Sequence, residues 1–227
     1  MKKQLLTCLL AGIALGSQAQ SSEAGWLRYP AISPDGSTIV FTYKGDLYKV
    51  AAAGGTATPL TLHEAHDYNA IWSPDGQSIA FASDRYGNFD VFVMPAAGGE
   101  ARRLTFHSAG EVPFSFSPDG KSILFGAARQ DGAGNRQFPT GSMPELYSVP
   151  VSGGRVQQVL TTPAEDARYS ADGKTLFYHD KKGGENTWRK HQTSAIARDI
   201  WSYQPATGAH KKLTSFAGED RSPVLAD

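Results

Sequence analysis

The chain has 227 residues, and its 22 Lys and Arg residues balance its 22 Asp and Glu residues. This balance excludes a strong net positive charge, and nothing in it indicates binding to nucleic acid or anionic membranes. A single cysteine excludes an internal disulfide framework, so the fold must be stabilised by a hydrophobic core.

Residues 1–20 predict a secretory signal peptide. Two lysines follow the first methionine, an apolar run extends from Leu5 to Leu15, and small residues precede a cleavage position near Ala19 or Gln20. The apolar run has about 11 residues, too few to span a bilayer. The alternative interpretation is a buried N-terminal helix. From the signal peptide we expect a periplasmic or secreted protein without membrane contact after cleavage. Cleavage would also remove the cysteine.

A Ser-Pro-Asp-Gly turn between two short apolar runs recurs along the rest of the chain. Its copies begin at Ser33, Ser73 and Ser117, and a looser copy, Ser-Ala-Asp-Gly, begins at Ser170. Proline presets the first corner of such a turn, aspartate bonds to the backbone two residues on, and glycine takes the left-handed position. The turn glycines recur every 40 to 53 residues. A period of about 40–45 residues is typical of one four-stranded propeller blade.

The second repeat shows the full cycle, with strands predicted at 70–73, 78–83, 90–94 and 101–105. A second glycine turn precedes the last strand, which ends in Leu-Thr, and no part of the mature chain has a sustained helical period. The second strands carry matching core aromatics, expected to be Phe41, Phe81, Phe125 and Phe177. The sequence therefore predicts an all-β propeller over residues 21–227, with blades at about 26–61, 62–105, 106–161 and 162–214.

The third and fourth repeats have insertions between their second and third strands, at 128–139 and 181–199. Equivalent loops project from the same end of a propeller, and loops longer than their neighbours often bind a ligand or another domain. Six insertion residues are therefore candidate contacts with a substrate or another domain: Arg129, Asp131, Trp188, Arg189, His191 and Arg198.

Residues 215–227 read as the start of a fifth blade. Because a propeller closes only when its last blade meets its first, we expect an incomplete propeller, an N-terminal fragment of a longer chain. The alternative is a closed four-bladed disc with a loose tail.

The pair His63 and His66 suggests a metal site at first sight. The two histidines are three residues apart rather than the four that a zincin helix needs, and they lie in a link between blades. In the repeat alignment Asp67 matches Glu111, six residues before the turn serine, and Glu219 takes the same place later. We interpret this acid as a structural group that accepts backbone N–H bonds, with a metal ligand as the alternative.

We find no nucleophile elbow, phosphate-binding glycine loop or calcium loop. A propeller glycosidase would need paired carboxylates or an arginine cluster near the axis, for which Asp67, Glu111, Glu165 and Arg168 are the candidates. Each of these has a simpler structural interpretation. We expect no catalytic residue, no cofactor and no metal site in these 227 residues.

The repeats resemble the WD40-like Pro-Asp repeats of TolB-type propellers and of the N-terminal propeller of tricorn-type serine peptidases. Three stretches favour secreted bacterial tricorn relatives, and they are YPAISPDG at 29–36, ASDRYGNFD at 82–90 and WRKHQTSAIARDIW at 188–201. The resemblance covers essentially the whole mature chain.

The resemblance implies a large periplasmic peptidase in which propellers precede a PDZ domain and a C-terminal serine-peptidase domain with the catalytic residues. It further implies that the propeller gates or guides peptide or unfolded protein substrates, and that its other partners are the remaining blades and those two domains. The alternative is a TolB-like non-enzymatic scaffold that binds a protein. A propeller hydrolase with axial carboxylates is a third interpretation.

Overall fold

The computed structural model describes residues 25–129, 143–183 and 193–225, which form 16 strands in four antiparallel sheets. The first sheet contains β1 (Arg28–Ile32), β2 (Thr38–Tyr43), β3 (Asp46–Ala51) and β4 (Thr58–Pro59). The second contains β5 (Asp67–Trp72), β6 (Ser78–Ser83), β7 (Asp90–Pro95) and β8 (Arg102–Arg103). The third contains β9 (Glu111–Phe116), β10 (Ser122–Ala127), β11 (Glu145–Pro150) and β12 (Gln157–Leu160). The fourth contains β13 (Ala164–Tyr169), β14 (Leu176–Asp180), β15 (Ile200–Gln204) and β16 (Ala209–Lys212).

Each sheet is a meander whose four strands pair in sequence order. The first strands of successive sheets contact one another, β1 with β5, β5 with β9 and β9 with β13. These first strands are therefore the inner strands around a common axis, and the sheets are propeller blades. The predicted fold class, an all-β propeller of four-stranded blades, is confirmed. Within the described ranges no helix is long and apolar enough to cross a membrane.

The Ser-Pro-Asp-Gly turns join the first two strands of each blade through side-chain hydrogen bonds. In the second blade, the Ser73 hydroxyl donates to Asp75 Oδ1 at 2.6 Å and accepts from the Ser78 amide at 2.9 Å. Asp75 also accepts from the Gln77 amide at 3.0 Å, and Gly76 has a φ of 69°. The other three turns repeat these bonds. The repeated sequence therefore forms a hydrogen-bonded turn, and its serine and aspartate have a structural role.

The hydrophobic core lies between the blades. Val40 and Leu47 of the first blade pack against Phe81 and Phe92 of the second, and similar clusters join the second blade to the third and the third to the fourth. Because each blade is covered by its neighbour, both faces of an internal blade are apolar. Stability therefore depends on contacts between neighbouring blades.

One aromatic pair recurs across the second and third strands of every blade. The pairs are Phe41 with Tyr48, Phe81 with Phe92, Phe125 with Tyr147, and Tyr178 with Trp201. The expectation that Phe177 is the fourth member is wrong. The Ser117 amide donates to the Ser122 carbonyl, and in the fourth blade the Ser170 amide donates to the Thr175 carbonyl, so Thr175 is the equivalent of Ser122. That register makes Tyr178 the equivalent of Phe125.

Candidate functional site

The inner strands share an irregularity that faces the axis. A shift in pairing register occurs in each of β1, β5, β9 and β13. At this bulge Tyr29, Asn69 and Asp166 adopt left-handed φ values of 51°, 54° and 50°, and Ser222 has 52° in the segment that follows β16. Non-glycine residues adopt this conformation at a cost of about 1–2 kcal/mol. In β9 the equivalent residue is Pro113, whose ring cannot adopt it.

Side chains at the bulges connect neighbouring inner strands. Asn69 Nδ2 donates to the Pro113 carbonyl at 2.7 Å, and Ser222 Oγ donates to Asp166 Oδ2 at 2.6 Å. Trp72 Nε1 also donates to the Ala31 carbonyl at 3.1 Å. The inner strands are therefore held to one another by polar bonds as well as by apolar packing.

A cavity of about 540 Å³ lies against these inner strands. Its lining includes Tyr29, Ile32, Asn69, Trp72, Phe116 and Asp166. A smaller cavity of about 400 Å³ adjoins it, and the two share Arg168, Phe116 and Val224. We call these two spaces the axial cavities. Their walls combine apolar side chains with a few polar groups, as in many ligand-binding cavities.

The end of the blades opposite the turns carries buried ion pairs, and we call it the loop end. Arg85 Nη2 lies 2.7 Å from Asp67 Oδ2, and Arg129 Nε donates to Glu111 Oε1 at 2.7 Å. Both carboxylates are fully buried. The prediction that these acids accept backbone N–H bonds is wrong, because an arginine side chain is the partner in both blades.

Each of the two arginines also covers the aromatic pair of its own blade. The Arg85 guanidinium lies 5.6 and 5.2 Å from the ring centres of Phe81 and Phe92. Arg129 lies 5.3 and 5.2 Å from those of Phe125 and Tyr147. The structure therefore places the candidate Arg129 in a repeated structural arrangement at the loop end.

A second set of acids, at or immediately before the first residue of each third strand, was not predicted from the sequence. Its members are Asp46, Asp90, Glu145 and Asp199, which follow from the aligned registers. Asp90 is fully buried, with Oδ2 at 2.7 Å from Arg103 Nη2. Burial outweighs this partner and raises the pKa of Asp90 to about 6, and burial also raises the pKa of Glu111. An acid at the same step of every repeat was the signal that could have revealed them.

The Leu-Thr pairs that directly follow β4 and β8 bind the backbone next to these acids. The hydroxyls of Thr61 and Thr105 accept the amides of Leu47 and Val91, each at 2.9 Å. Both amides directly follow the acid of the third strand. The repeated threonine therefore satisfies a backbone donor at the start of a buried strand.

The candidate Arg198 lies at the loop end of the fourth blade. It is buried, its Nη2 lies 3.5 Å from Glu165 Oε2, its Nη1 pairs with Glu219, and its amide donates to Glu219 Oε2 at 3.2 Å. The alignment of Glu219 with Asp67 is wrong by one residue. The Asp220 amide bonds to the Arg198 carbonyl just as the Asp67 amide bonds to Gly45.

The remaining candidates from the insertions, Asp131, Trp188, Arg189 and His191, lie outside the described residues. The ends of both insertions that are described, near Arg129 and Arg198, lie at the loop end. Of the acids and arginine considered for axial catalysis, Arg168 lines the axial cavities, whereas Asp67, Glu111 and Glu165 are in ion pairs.

Comparison with known proteins gives a family and a set of related folds. Residues 24–227 match the family model described as the tricorn protease N-terminal beta propeller domain. A protein of Agrobacterium tumefaciens described as a TolB has a TM-score of 0.70 and 22% identity over 87% of this chain and 65% of its own. The tricorn protease has a TM-score of 0.69 and 22% identity over 88% of this chain and 19% of its own. TolB from Acinetobacter baumannii has a TM-score of 0.63 and 22% identity over 83% of this chain and 43% of its own. The chain thus spans between about a fifth and two thirds of these proteins, and the likeness to them shows a shared fold.

Proposed function

The chain belongs to the family of tricorn protease N-terminal beta propeller domains, and from this premise we propose that it guides peptide substrates to a peptidase domain. In this proposal the parent protein is a serine peptidase, and its catalytic groups lie in another domain. The propeller admits short or unfolded peptides along its axis and excludes folded proteins.

The observation that carries the proposal is the repeated bulge on the inner strands. A bulge leaves one residue out of the ladder, so that its backbone groups are available to a ligand. Tyr29, Asn69 and Asp166 keep a costly left-handed conformation at this place. An extended peptide could bind these groups while its side chains contact the apolar walls of the axial cavities. Such binding would depend little on peptide sequence, as a guiding role requires.

The loop end is our proposed face for contact with the substrate or with another domain. Arg129 and Arg198 lie there, and the sequence places Asp131, Trp188, Arg189 and His191 in the same two insertions. Because Arg129 and Arg198 are held by carboxylates, we expect them to position the insertions rather than to bind the peptide directly.

Binding of a peptide to the isotopically labelled chain tests the guiding role. We expect chemical-shift changes from an unstructured peptide to centre on Tyr29, Asn69 and Asp166, with affinity in the micromolar to millimolar range. Asn69→Val should weaken binding, because a β-branched residue disfavours the left-handed backbone, whereas Asn69→Gly keeps that backbone and should bind like the wild type. Gln157→Val, at an exposed position of the outer strand β12, is the matched control. Changes confined to the outer strands, or none at all, would refute the proposal.

The TolB-like alternative makes a different prediction. A scaffold should bind one folded partner with high specificity, whereas a guiding propeller should bind many unrelated peptides weakly. Comparison of a panel of unrelated peptides therefore distinguishes the two functions.

We also propose that the protein is exported to the periplasm or secreted. The support is the sequence of residues 1–20, with its lysines, apolar run and small residues. N-terminal sequencing of the protein recovered from the periplasm should give a first residue close to Gln20. Recovery of the intact first twenty residues from the cytoplasm would contradict export.

A further inference from the structure

His179 lies at the junction between the fourth blade and the segment 219–225 that follows β16. Its side chain is 3% exposed and contacts two elements. Nε2 lies 3.3 Å from Glu165 Oε2 of β13, and Nδ1 accepts the backbone N–H of Ser222 at 3.2 Å. The imidazole therefore connects an inner strand to the next segment of chain.

These partners define the protonation state in which the junction is complete. A neutral histidine has one N–H donor and one acceptor nitrogen, whereas both nitrogens of an imidazolium are donors. Because the Ser222 amide donates to Nδ1, the proton of the neutral ring lies on Nε2 and faces Glu165. A second proton on Nδ1 would replace the Ser222 hydrogen bond with two opposed donors.

A second acceptor is available to a protonated ring. Asp166 Oδ2 lies 3.8 Å from Nδ1 and already accepts the Ser222 hydroxyl at 2.6 Å. A small rotation of the imidazolium would bring Nδ1–H to this carboxylate. Protonation therefore exchanges one hydrogen bond for another and releases the Ser222 backbone.

Cationic side chains share the carboxylate that faces the His179 ring. Burial alone would raise the pKa of Glu165, but hydrogen bonds from His179 and Lys181 lower it to about 2. Lys181 Nζ donates to Glu165 Oε1 at 2.8 Å, and Arg198 Nη2 lies 3.5 Å from Oε2. On the other side of the ring, Ser222 follows the charged run Glu219, Asp220 and Arg221.

We infer that His179 is a pH-responsive latch that fastens the segment 219–225 to the fourth blade when neutral and releases its backbone when protonated. Val224 of this segment lines both axial cavities. Release at mildly acidic pH would therefore loosen one wall of these cavities. The inference rests on the junction alone and does not require the proposed guiding function.

Amide hydrogen exchange of the full chain between pH 7.5 and pH 5.5, where histidines commonly titrate, tests the latch. After correction for the intrinsic pH dependence of exchange, we expect the Ser222 amide to lose about tenfold protection at the lower pH. This is the change that loss of one ordinary hydrogen bond produces. A nuclear magnetic resonance titration of the His179 ring nitrogens should have the same midpoint as the loss of Ser222 protection. Constant protection, or a ring already doubly protonated at pH 7.5, would overturn the inference.

His179→Gln supplies a further test, because an amide oxygen can accept the Ser222 N–H but does not titrate in this range. Its Ser222 protection should not change between the two pH values. His63→Gln is the matched control, since His63 Nδ1 accepts the Ala65 amide at 3.0 Å far from this junction. That variant should keep the full pH dependence at Ser222, and its loss there would also contradict the latch. If His179→Gln does not fold, the agreement of the two wild-type midpoints decides the matter.

Discussion

Aspartates in this protein occupy two opposite electrostatic environments. The exposed turn aspartates accept bonds from a serine hydroxyl and a backbone amide, which lowers the pKa of Asp35 to about 2 and also lowers that of Asp75. Asp90 is buried at the start of β7, where loss of solvent raises its pKa to about 6 despite Arg103. The first group is therefore more acidic in the folded chain than in the unfolded chain, and Asp90 is less acidic.

These shifts predict opposite effects of pH on stability. Because the folded chain retains a proton on Asp90 that the unfolded chain loses above its ordinary pKa of 3.8, stability should fall as pH rises from about 4 to about 6. Asp90→Asn should reduce this decline and leave the part that comes from Glu111, whose pKa is also raised by burial. Urea unfolding at a series of pH values between 3 and 7 measures it.

Asp75→Asn is the matched control for that experiment. Its contribution to stability is present above the ordinary pKa and is lost as pH falls through the lowered one. The control should therefore lose the Asp75 contribution to acid sensitivity below about pH 4 and keep the decline between pH 4 and 6. A variant at Asp90 that declines as steeply as the wild type would contradict the assignment.

Asn88 gives a prediction for a neutral side chain. Its Nδ2 donates to the carbonyls of His107 and Ala109 at 2.9 and 3.2 Å, and so fixes the link between the second and third blades. Asn88→Ala should cost about 1–3 kcal/mol of unfolding free energy, because these carbonyls lose their donor. Asn88→Asp should cost more, since a carboxylate would face carbonyl oxygens. Gln77→Glu makes the same chemical change in an exposed turn and should be near neutral; a similar loss there would point to net charge rather than to these bonds.

At the scale of strands, the sequence predicts the regular parts and misses the irregular ones. The strands expected at 78–83 and 90–94 are observed at Ser78–Ser83 and Asp90–Pro95, because turn chemistry and apolar alternation fix them locally. The first strand of the second blade, β5, begins at Asp67 rather than at residue 70, because its register against β6 depends on a bulge. Tyr29, Asn69 and Asp166 share a backbone conformation but no common side chain. The axial site could therefore not be predicted from composition or spacing.

In the third blade, a phenylalanine of the inner strand takes the place of an alanine that is present in the second and fourth blades. Phe114 of β9 lies so close to Gly126 of β10 that a Cβ on the glycine would be 2.6 Å from the phenyl ring. The equivalent inner-strand residue is Ala70 in the second blade and Ala167 in the fourth, as the turn serines align them. Space for the ring therefore depends on the glycine rather than on its backbone conformation.

Gly126→Ala should destabilise the chain by about 1–3 kcal/mol, the usual cost of overpacking a core. Phe114→Ala should cost about 3–5 kcal/mol, because it leaves a cavity. In the double variant the added methyl group no longer clashes with the ring. The double variant should therefore lose less unfolding free energy than the sum of the losses in the two single variants. Chemical denaturation of the four proteins measures this coupling. Strict additivity would show that the ring and the glycine do not compete for the same space.

At the scale of the whole molecule, the sequence repeat predicts the fold but does not predict which residues meet in the folded chain. A period present in the sequence identifies blades, so the architecture follows from few residues. The ion pairs Asp67 with Arg85 and Glu111 with Arg129 also follow the period, but their partners are 18 residues apart and meet only in the folded blade. His179 and Ser222 are farther apart still, and only the packing of successive inner strands joins them.

The two outermost blades present faces that differ from the interfaces between blades. At an internal interface the last residue of an inner strand, such as Phe116, is buried against the preceding blade. Its counterpart in the first blade, Ile32, is 59% exposed, and Val224 beyond the fourth blade is 83% exposed. Because the equivalent apolar positions are buried or half-buried where a neighbouring blade packs against them, we expect these faces to associate.

The described chain should therefore form concentration-dependent oligomers, and Ile32→Ser should reduce them without lowering the stability of the monomer. Light scattering after size-exclusion chromatography, over a hundredfold range of concentration, measures the association. Leu62→Ser is the matched control, because Leu62 is 79% exposed at the loop end, in the link between the first and second blades and away from the open face. If the open face drives association, the control should associate like the wild type. The prediction would be contradicted by a monomer at all concentrations or by an equal effect of both substitutions. Either result would show that the exposed apolar residues of the first inner strand do not drive association.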